Sequence, residues 1–331
     1  MAHTGRATLV LGEVVKLDRG YPLVRTQDGH SYRCEHAMAL VKDESVRAVI
    51  GDRVRLAMPE GHDKAVIEEI LPRRNVFVRK DPTERAVSQV LAANFEWVLV
   101  AQPLAEVNLR RLERELVLAF ETGAQVAVVL TKADLAESEE QLEVIRARVQ
   151  DLAGDVPIVV VTEADPRSAE AVRALIPRTT TAVLIGRSGV GKSSLINVLV
   201  GEEVQATAAV RTGDGKGRHT TVAREMVDIP GAGRVIDMPG VRGMGLWDAH
   251  SGIEAAFADV EALTSACRFR DCKHVNEPGC AVLAAIAKGE LSEARLASYH
   301  ALMQETDAVA KRREEADRLR SRTGHPRRRN R

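Results

Sequence analysis

The N-terminal part of the chain alternates short apolar runs with turn residues. Five runs lie within residues 7–75, namely Thr8–Val15, Tyr21–Arg25, His30–Cys34, Arg53–Met58 and Lys64–Ile70. Asp, Gly and Pro separate them, which is typical of short strands joined by tight turns. Five short strands predict a small β-barrel, for which the OB-fold is the commonest architecture. Such a barrel binds RNA in some proteins and is purely structural in others, and the pattern leaves both open.

From residue 95 to residue 240, long apolar runs alternate with helix-like stretches. The runs are Trp97–Ala101, Gln125–Leu130, Pro157–Val161, Ala182–Ile185 and Arg234–Ile236, and the helix-like stretches include Leu109–Thr122, Ser138–Leu152 and Lys192–Val200. Strands that are apolar throughout, with helices between them, are typical of a parallel sheet covered on both faces. We therefore predict an α/β protein, with a β-barrel over residues 1–75 and a mostly parallel-sheet domain over residues 76–250.

The remainder of the chain is predicted to be helical. A long helix should start near Ser292, a residue type that caps helix N-termini, and Leu296, Tyr299 and Met303 recur on one of its faces. We assign residues 251–310 to a C-terminal helical domain. Residues 311–331 carry ten Lys or Arg against three Asp or Glu, and we expect this basic tail to be disordered.

Composition narrows the class of protein. Lys and Arg number 47 and Asp and Glu number 47, so the total charge gives no argument for nucleic-acid binding. Hydrophobic residues at 45% and charged residues at 28% are ordinary globular values, which excludes a wholly disordered chain. The sequence shows no apolar run near the ~18 residues of a membrane helix and no secretion signal. We therefore expect a cytoplasmic protein that does not enter a membrane. No heptad or exposed apolar stripe suggests more than a monomer.

Residues 186–193, GRSGVGKS, match the phosphate-loop pattern G-x-x-x-x-G-K-[ST] between a strand-like and a helix-like run. Glycines allow a tight turn in which backbone N–H groups at a helix N-terminus surround phosphates. In this pattern Lys192 stabilises charge on the β- and γ-phosphates as a catalytic residue, and Ser193 binds Mg²⁺. A fortuitous glycine-rich turn is the alternative. The predicted phosphate contacts are Gly186, Arg187, Ser188, Gly189, Val190, Gly191, Lys192, Ser193 and Ser194.

Residues 131–134, TKAD, follow the apolar run QVAVVL and resemble the [NT]KxD guanine motif of GTPases. The Asp134 carboxylate can accept hydrogen bonds from guanine N1–H and the exocyclic amine, donors that adenine lacks on that edge. Lys132 would lie along the purine plane, and the Thr131 hydroxyl would hold the loop. TKAD alone also fits a capped loop before a helix, but a phosphate loop in the same predicted sheet favours GTP.

Residues 237–240, DMPG, follow another apolar run and match the DxxG element of GTPases. Asp237 would bind Mg²⁺ through water, and the Gly240 N–H would contact the γ-phosphate. Thr220 and Thr221 are the candidates for a switch threonine that binds Mg²⁺, with Thr221 favoured. The segment 211–221 is rich in Gly and charge, so we expect a loop that the nucleotide orders. A disordered insertion is the alternative.

The order of these motifs is unusual. TKAD at 131 precedes GRSGVGKS at 186 and DMPG at 237, whereas an ordinary GTPase begins with the phosphate loop and ends with the guanine motif. A circularly permuted sheet explains this order. With TKADL, GRSGVGKSSLIN, GRHTT and DMPGVRGMGL between a barrel and a cysteine-histidine cluster, nearly the whole chain resembles the RsgA (YjeQ) family of circularly permuted small-ribosomal-subunit GTPases.

This resemblance implies an OB-fold, a circularly permuted P-loop GTPase domain and a C-terminal zinc-binding domain. It also implies GTP and GDP as ligands, and association with the 30S ribosomal subunit and its 16S rRNA late in maturation. Hydrolysis stimulated by that subunit is implied as well. The family more often has Ser-Ala in the segment behind the base. The segment VVVTEAD has Thr162 there, which we take as the predicted nucleotide contact.

Three of the four cysteines and a histidine form one cluster, Cys267, Cys272, His274 and Cys280. Three thiolates and an imidazole suit tetrahedral Zn²⁺ with no open position, which indicates a structural metal ion. The spacing departs from ordinary zinc fingers, and buried thiols beside a surface histidine are the alternative. Cys34 lies far from the cluster in sequence and is predicted to be a buried core residue. The intervening basic and aromatic side chains fit either RNA contact or a solvated loop.

Many GTPases position the attacking water with a Gln directly after DxxG, where this chain has Val241. Valine cannot hydrogen-bond water, so we predict slow intrinsic hydrolysis. His219 is the candidate catalytic residue for positioning water, with contact to RNA or solvent as its alternative. Arg218 is a further candidate, for neutralising transition-state charge.

Two rival functions stay open at this point. A GTP-regulated RNA-binding assembly factor with negligible turnover would carry the same motifs, but the intact Lys192, Ser193, Asp237 and Gly240 favour hydrolysis. The second rival is a GTP-dependent regulator that binds a protein partner and no RNA. The basic tail and the barrel count against it.

Overall fold

The structure is a computed structural model, and it describes residues 9–18, 21–41, 47–58, 64–80, 88–202, 224–238, 246 and 249–322. The described residues divide into two compact units. The first draws on Met1–Val78, Val90–Val107 and Ala124–Arg242, and the second on Arg79–Gln89, Asn108–Gly123 and Gly243–Arg331. The segment 108–123 therefore belongs with the C-terminal helices. The predicted boundaries at residues 75, 250 and 310 instead leave this segment in the parallel-sheet domain.

The elements follow the chain in this order. The strands are β1 Val10–Asp18, β2 Tyr21–Thr26, β3 Ser31–His36, β4 Arg53–Ala57, β5 Ala65–Ile70, β6 Val76–Lys80, β7 Ser88–Ala93, β8 Trp97–Pro103, β9 Gln125–Thr131, β10 Ile158–Val160, β11 Thr181–Ile185, β12 Arg224–Asp228 and β13 Arg234–Asp237. The α-helices are α1 Met38–Val41, α2 Leu109–Phe120, α3 Glu139–Ala153, α4 Glu170–Leu175, α5 Lys192–Val200, α6 His250–Ala256, α7 Ala258–Thr264, α8 Ala281–Ala287 and α9 Glu293–Arg322.

The first five strands form a closed barrel, which confirms the predicted architecture. β1 pairs with β2 and β4, β2 pairs with β3, and β5 lies between β3 and β4. Alternate side chains point inward, so β2 shows the alternating burial expected of a strand with one face on a core. The barrel core contains Val14, Val24, Cys34, Val54, Leu56 and Ile67.

Five parallel strands, in the order β10-β9-β8-β11-β13, form the predicted sheet of the α/β domain. Every residue of β11 is buried, and on β9 only Gln125 is exposed. Strands buried on both faces explain why the sequence shows continuous rather than alternating apolar runs. β12 joins antiparallel beside β13, so the sheet is mostly parallel as predicted.

The barrel and the parallel sheet belong to one continuous set of strands within the first unit. β1 pairs antiparallel with β12, where Lys16 lies opposite Glu225. Lys16 Nζ donates to Glu225 Oε2 at 2.8 Å, and the Arg234 guanidinium donates to the Glu13 carboxylate. Backbone pairing and two ion pairs therefore hold the barrel strand β1 against the strands that lead to Asp237.

The second unit packs α2 with the C-terminal helices around one arginine. The Arg295 guanidinium of α9 donates to Glu113 of α2 at 3.0 Å and to Asp259 of α7 at 3.0 Å. It also lies 4.0 Å from the ring centroid of Phe257. The Arg295 and Glu113 side chains are only 11% and 6% exposed, so this ion pair is largely removed from water.

Helix α9 is longer than the sequence analysis predicts. It extends to Arg322, so residues 311–322 of the predicted disordered tail are helical. Arg, Lys, Glu, Ala and Leu are strong helix formers, and Glu314 lies 3.8 Å from Arg318 one turn later. Charge composition alone therefore gave the wrong expectation for this segment, and residues 323–331 lie outside the described part. No helix in the described ranges is long and apolar enough to cross a membrane.

Candidate functional site

The predicted nucleotide residues gather at the carboxyl edge of the parallel sheet. Thr131 ends β9, and the phosphate loop follows β11. Asp237 ends β13 and is the register partner of Leu184, two residues before Gly186. Parallel strands place their carboxyl ends at the same edge, where α/β proteins bind ligands. The sheet thus brings together motifs that are more than a hundred residues apart in sequence.

Two loop glycines are required by the backbone. Gly186 has φ +147°, and a Cβ there would lie 2.7 Å from the Ala101 carbonyl oxygen. Gly191 has φ +98°, and a Cβ there would lie 3.4 Å from Thr131 Cβ. Positive φ is unfavourable for residues that carry a Cβ. The glycines of the motif therefore serve both the turn and the close approach to β8 and β9.

Lys192 is held inside the phosphate loop. The residue is only 8% exposed, and its Nζ donates to the carbonyl oxygens of Gly186 at 2.9 Å and Arg187 at 3.2 Å. Because α5 begins at Lys192, its ammonium group and the helix N-terminus lie together. This arrangement places a positive charge beside a helix N-terminus, as a phosphate site requires.

The guanine motif is braced against the phosphate loop. The Thr131 hydroxyl donates to the Val190 carbonyl oxygen and lies 3.2 Å from the Gln102 carbonyl oxygen. Lys132 adopts a left-handed conformation with φ +55°, and its Nζ donates to the Gly189 carbonyl oxygen at 2.7 Å. Side chains of the guanine motif thus connect the two loops, and the Thr131 hydroxyl makes one of these connections.

Asp134 and Thr162 also meet, although 28 residues separate them. The Thr162 hydroxyl donates to Asp134 Oδ1 at 2.7 Å and accepts the Ala164 N–H at 3.1 Å. Ser168, which the sequence analysis missed, fixes this loop because its Oγ accepts the Thr162 N–H at 3.1 Å. A hydroxyl six residues downstream of Thr162 in a turn-rich segment was the available sequence signal.

The predicted Mg²⁺ residues are only partly described. Ser193 lies in the first turn of α5. Asp237 is the last residue of β13, the strand that pairs with β11. A hydroxyl and a carboxylate at one edge of the sheet are oxygen donors of the kind that Mg²⁺ prefers, so these two residues fit the ion. Thr220, Thr221, Gly240 and the candidate catalytic residue His219 lie outside the described residues.

The donor atoms of the cysteine-histidine cluster lie close enough together to bind one metal ion. The four donor atoms of Cys267, Cys272, His274 and Cys280 all lie within 4.8 Å of one another. Cys280 Sγ lies 3.4 Å from His274 Nδ1 and 3.9 Å from Cys267 Sγ. Tetrahedral bonds of ~2.0–2.3 Å to zinc place ligand atoms about 3.5–3.8 Å apart. The donor set and its spacing therefore fit Zn²⁺.

Backbone N–H groups donate hydrogen bonds to the side chains of this cluster and its loop, residues 267–280. The Ala281 N–H donates to Cys267 Sγ at 3.4 Å, and Cys280 Sγ accepts the Leu283 N–H as the cap of α8. N–H donors stabilise sulfur that carries negative charge. Glu277, which the sequence analysis missed, accepts backbone N–H groups of Val275 and Lys273, and these donors lower the pKa of its carboxyl to about 2.

Cys34 takes no part in the cluster. It is fully buried in the barrel core, and burial raises the pKa of its thiol to about 12. A thiol that stays protonated is a weak nucleophile and a weak metal ligand. The prediction of a buried core cysteine is confirmed.

Comparisons with known proteins agree with this site. A sequence profile of the RsgA GTPase family matches residues 70–247. The Small ribosomal subunit biogenesis GTPase RsgA of Streptomyces avermitilis is 43% identical over 302 residues, which cover 91% of this chain and 80% of the relative. The protein of the same name from Methanosarcina acetivorans is 39% identical over 268 residues, covering 80% of this chain and 72% of the relative.

Solved structures match as well. The crystal structure of YjeQ from Thermotoga maritima has a TM-score of 0.66 and 25% sequence identity, covering 90% of this chain and 99% of that one. The crystal structure of YloQ, a circularly permuted GTPase, has a TM-score of 0.65 at 23% identity and supports the fold alone. The family profile and the relatives together show that the chain belongs to the RsgA GTPase family.

Proposed function

We propose that this GTPase acts in the maturation of the small (30S) ribosomal subunit and binds its 16S rRNA. The observation that carries the proposal is the guanine motif braced against the phosphate loop through Thr131 and Lys132. Relatives that share most of the chain are named small ribosomal subunit biogenesis GTPases. We expect the protein to work as a monomer in the cytoplasm, without a membrane.

The nucleotide contacts follow from the geometry. N–H groups of the phosphate loop and the Lys192 ammonium would bind the phosphates of GTP or GDP. Asp134, oriented by Thr162, would accept the two donors of the guanine edge. Ser193 and Asp237 would hold Mg²⁺, together with Thr220 or Thr221. When bound, Mg²⁺ would offset the negative charge of the phosphate oxygens.

Hydrolysis is proposed to be slow without the subunit. Val241 follows DxxG in place of a glutamine, so water must be positioned by another group. His219 stays our candidate for this role. Contact with the 30S subunit is proposed to raise the rate by completing the group that positions this water.

The zinc ion is proposed to be structural. Three thiolates and one imidazole complete a four-coordinate shell, which leaves no position for a water nucleophile. Its role would be to fix the loop 267–280 and the start of α8, because Cys280 is both ligand and helix cap.

The first experiment measures hydrolysis of GTP and ATP by the purified protein, with and without purified 30S subunits. We expect a slow, GTP-specific rate that rises sharply with 30S subunits. Lys192→Ala should abolish it, whereas Lys288→Ala, an exposed lysine of the second unit, serves as the matched control. A rate that 30S subunits leave unchanged would remove the ribosomal part of the proposal. GTP binding with no hydrolysis under either condition would favour the rival assembly factor without turnover.

A second experiment tests the basic end of the chain. Removing residues 311–331 takes away ten Lys or Arg. Affinity for 30S subunits should fall and become less sensitive to salt, because fewer counterions are released from RNA. GTP affinity should not change. A loss of GTP binding would show instead that this segment is needed for the fold.

A further inference from the structure

We propose that the metal loop, residues 267–280, binds RNA by stacking an unpaired base on the ring of Phe269. This inference rests on the proposed function, since it requires an RNA partner. It differs from general attraction to phosphates because it assigns a flat, base-sized contact to one side chain.

The ring is available and already has a cationic neighbour. Phe269 is 41% exposed, although it is among the large apolar side chains that proteins usually bury. The Arg268 guanidinium carbon lies over the ring, 5.5 Å from its centroid. Proteins that read single-stranded RNA stack bases on aromatic rings and on arginine planes. Phe269 and Arg268 place both kinds of surface side by side.

The loop that carries the ring is fixed at several points. Cys267 lies directly before Arg268, and Cys272 and Cys280 tie the same loop to the metal site. The Arg268 N–H donates to the Gly279 carbonyl oxygen at 3.1 Å, which closes the loop across its base. A rigid aromatic loses little conformational entropy when a ligand binds. The backbone that carries the ring is therefore held in place before RNA arrives.

Exposed cations flank the ring. Arg270 and Lys273 are both exposed, and within the described ranges neither forms an ion pair. The Glu277 carboxylate, by contrast, is occupied by backbone N–H groups of the loop. Cations beside an aromatic ring can bind the phosphates that flank a stacked base. The combination favours RNA over an acidic protein segment, which offers carboxylates but no flat heterocycle.

The test uses the full-length, zinc-loaded protein and two probes. One is the 30S subunit, with dissociation constants measured over a range of salt concentrations. The other is a short single-stranded RNA that contains 2-aminopurine, whose fluorescence is quenched when the base stacks. Phe269→Ala should weaken binding about 5- to 150-fold, the range for one base–aromatic stack. The slope of affinity against salt should stay unchanged, because no charge is removed.

The variants separate stacking from charge. Phe269→Trp should keep the affinity and the quenching, and Val275→Ala, which truncates a side chain that is 66% exposed in the same loop, should change neither. The double variant Arg270→Ala with Lys273→Ala should reduce the salt slope instead. Zinc content and the thermal unfolding midpoint show that each variant keeps its loop.

Each remaining outcome is decisive. Wild-type affinity and quenching in Phe269→Ala would overturn the inference. Weaker 30S binding by Phe269→Ala with no quenching by the wild-type protein would point to a ribosomal protein as the partner of this loop. If the wild-type protein fails to bind 30S subunits but quenches the single-stranded RNA, the proposed function is wrong and the stacking site stands.

Discussion

At the residue scale, we predict that base selection depends on the Asp134 carboxylate. Asp134→Asn turns one acceptor into a donor, which faces the N–H groups of guanine instead of accepting from them. We expect GTP to bind about 5- to 150-fold more weakly, the range for an unsatisfied buried polar group. Xanthosine triphosphate, which has an oxygen where guanine has its amine, should bind better than GTP. Competition between labelled GTP and each nucleotide measures both effects.

A conservative variant at a different carboxylate controls for this change. Asp155 is exposed and lies before β10, at the other end of the strand from the base loop. Asp155→Asn should leave nucleotide preference as it is. If Asp134→Asn kept the wild-type preference for GTP, the assignment of TKAD to base recognition would be wrong.

A half-buried histidine makes barrel stability depend on pH. His36 Nε2 accepts the Ala48 N–H at 3.1 Å, so the ring must be neutral at that nitrogen. Burial lowers the pKa of His36, the charge of Arg47 lowers it further, and Asp52 opposes both. The unfolded chain therefore binds this proton more readily, and the free energy of unfolding falls as pH drops below about 6.5.

The substitution His36→Gln isolates this effect. An amide oxygen can still accept the Ala48 N–H, but it does not titrate. Denaturant unfolding from pH 8 to pH 5 should show a smaller loss of stability in the variant than in the wild-type protein. Parallel curves for the two proteins would contradict the assignment.

At the scale of elements, the contact between α2 and α9 depends on the buried pair Glu113 and Arg295. Arg295→Met leaves Glu113 without its cation, and such a break costs about 3–5 kcal/mol. Adding Glu113→Leu removes the stranded charge, so the double variant should be more stable than Arg295→Met alone. The free energy of unfolding of the three proteins tests this order, and a double variant less stable than the single one would refute it.

Sequence patterns predicted the elements whose whole surface is buried. β11 and β9 appear as uninterrupted apolar runs because both of their faces are covered. β12, with the sequence REMVD, was missed because charged residues at both of its ends leave no continuous apolar run. The length of α9 was missed for a related reason, since its last turns are fixed by helix propensity and not by an apolar face.

At the scale of the whole molecule, the barrel and the parallel sheet should open together. Glu13 and Arg234 join β1 to β13 across 221 residues of sequence, and both are less than a third exposed. Glu13→Gln removes one charge and should lower the opening free energy of β1, β12 and β13 by about 1 kcal/mol. Hydrogen exchange measures each strand separately.

A second carboxylate gives the matched control for this experiment. Glu69 pairs with Arg55 within the barrel and is 48% exposed. Glu69→Gln should leave exchange in β12 and β13 as it is in the wild-type protein. Faster exchange in β1 alone after Glu13→Gln would mean that the barrel opens independently of the sheet.

Some features of the site could be predicted from short stretches of sequence, and others could not. The phosphate loop, TKAD and the cysteine spacing are local patterns, and the structure brings the first two together at one sheet edge and the cysteines into one cluster. The bond between Thr162 and Asp134, and the bond between Thr131 and Val190, depend on how distant strands align. No short sequence pattern shows how those strands align, so these contacts could not be predicted from the sequence.

The pairing of β1 with β12 also has a consequence for synthesis of the chain. Lys16 meets Glu225 only after 209 further residues have been made, which takes roughly 10–40 s at 5–20 residues per second. During that interval the barrel can close on itself, and β2 pairs with one edge of β1 at Lys16, but the opposite edge still lacks β12. A lysine at an unpaired strand edge discourages pairing with another chain. The residue that later anchors the barrel to the sheet is therefore also suited to guard the unfinished protein against aggregation.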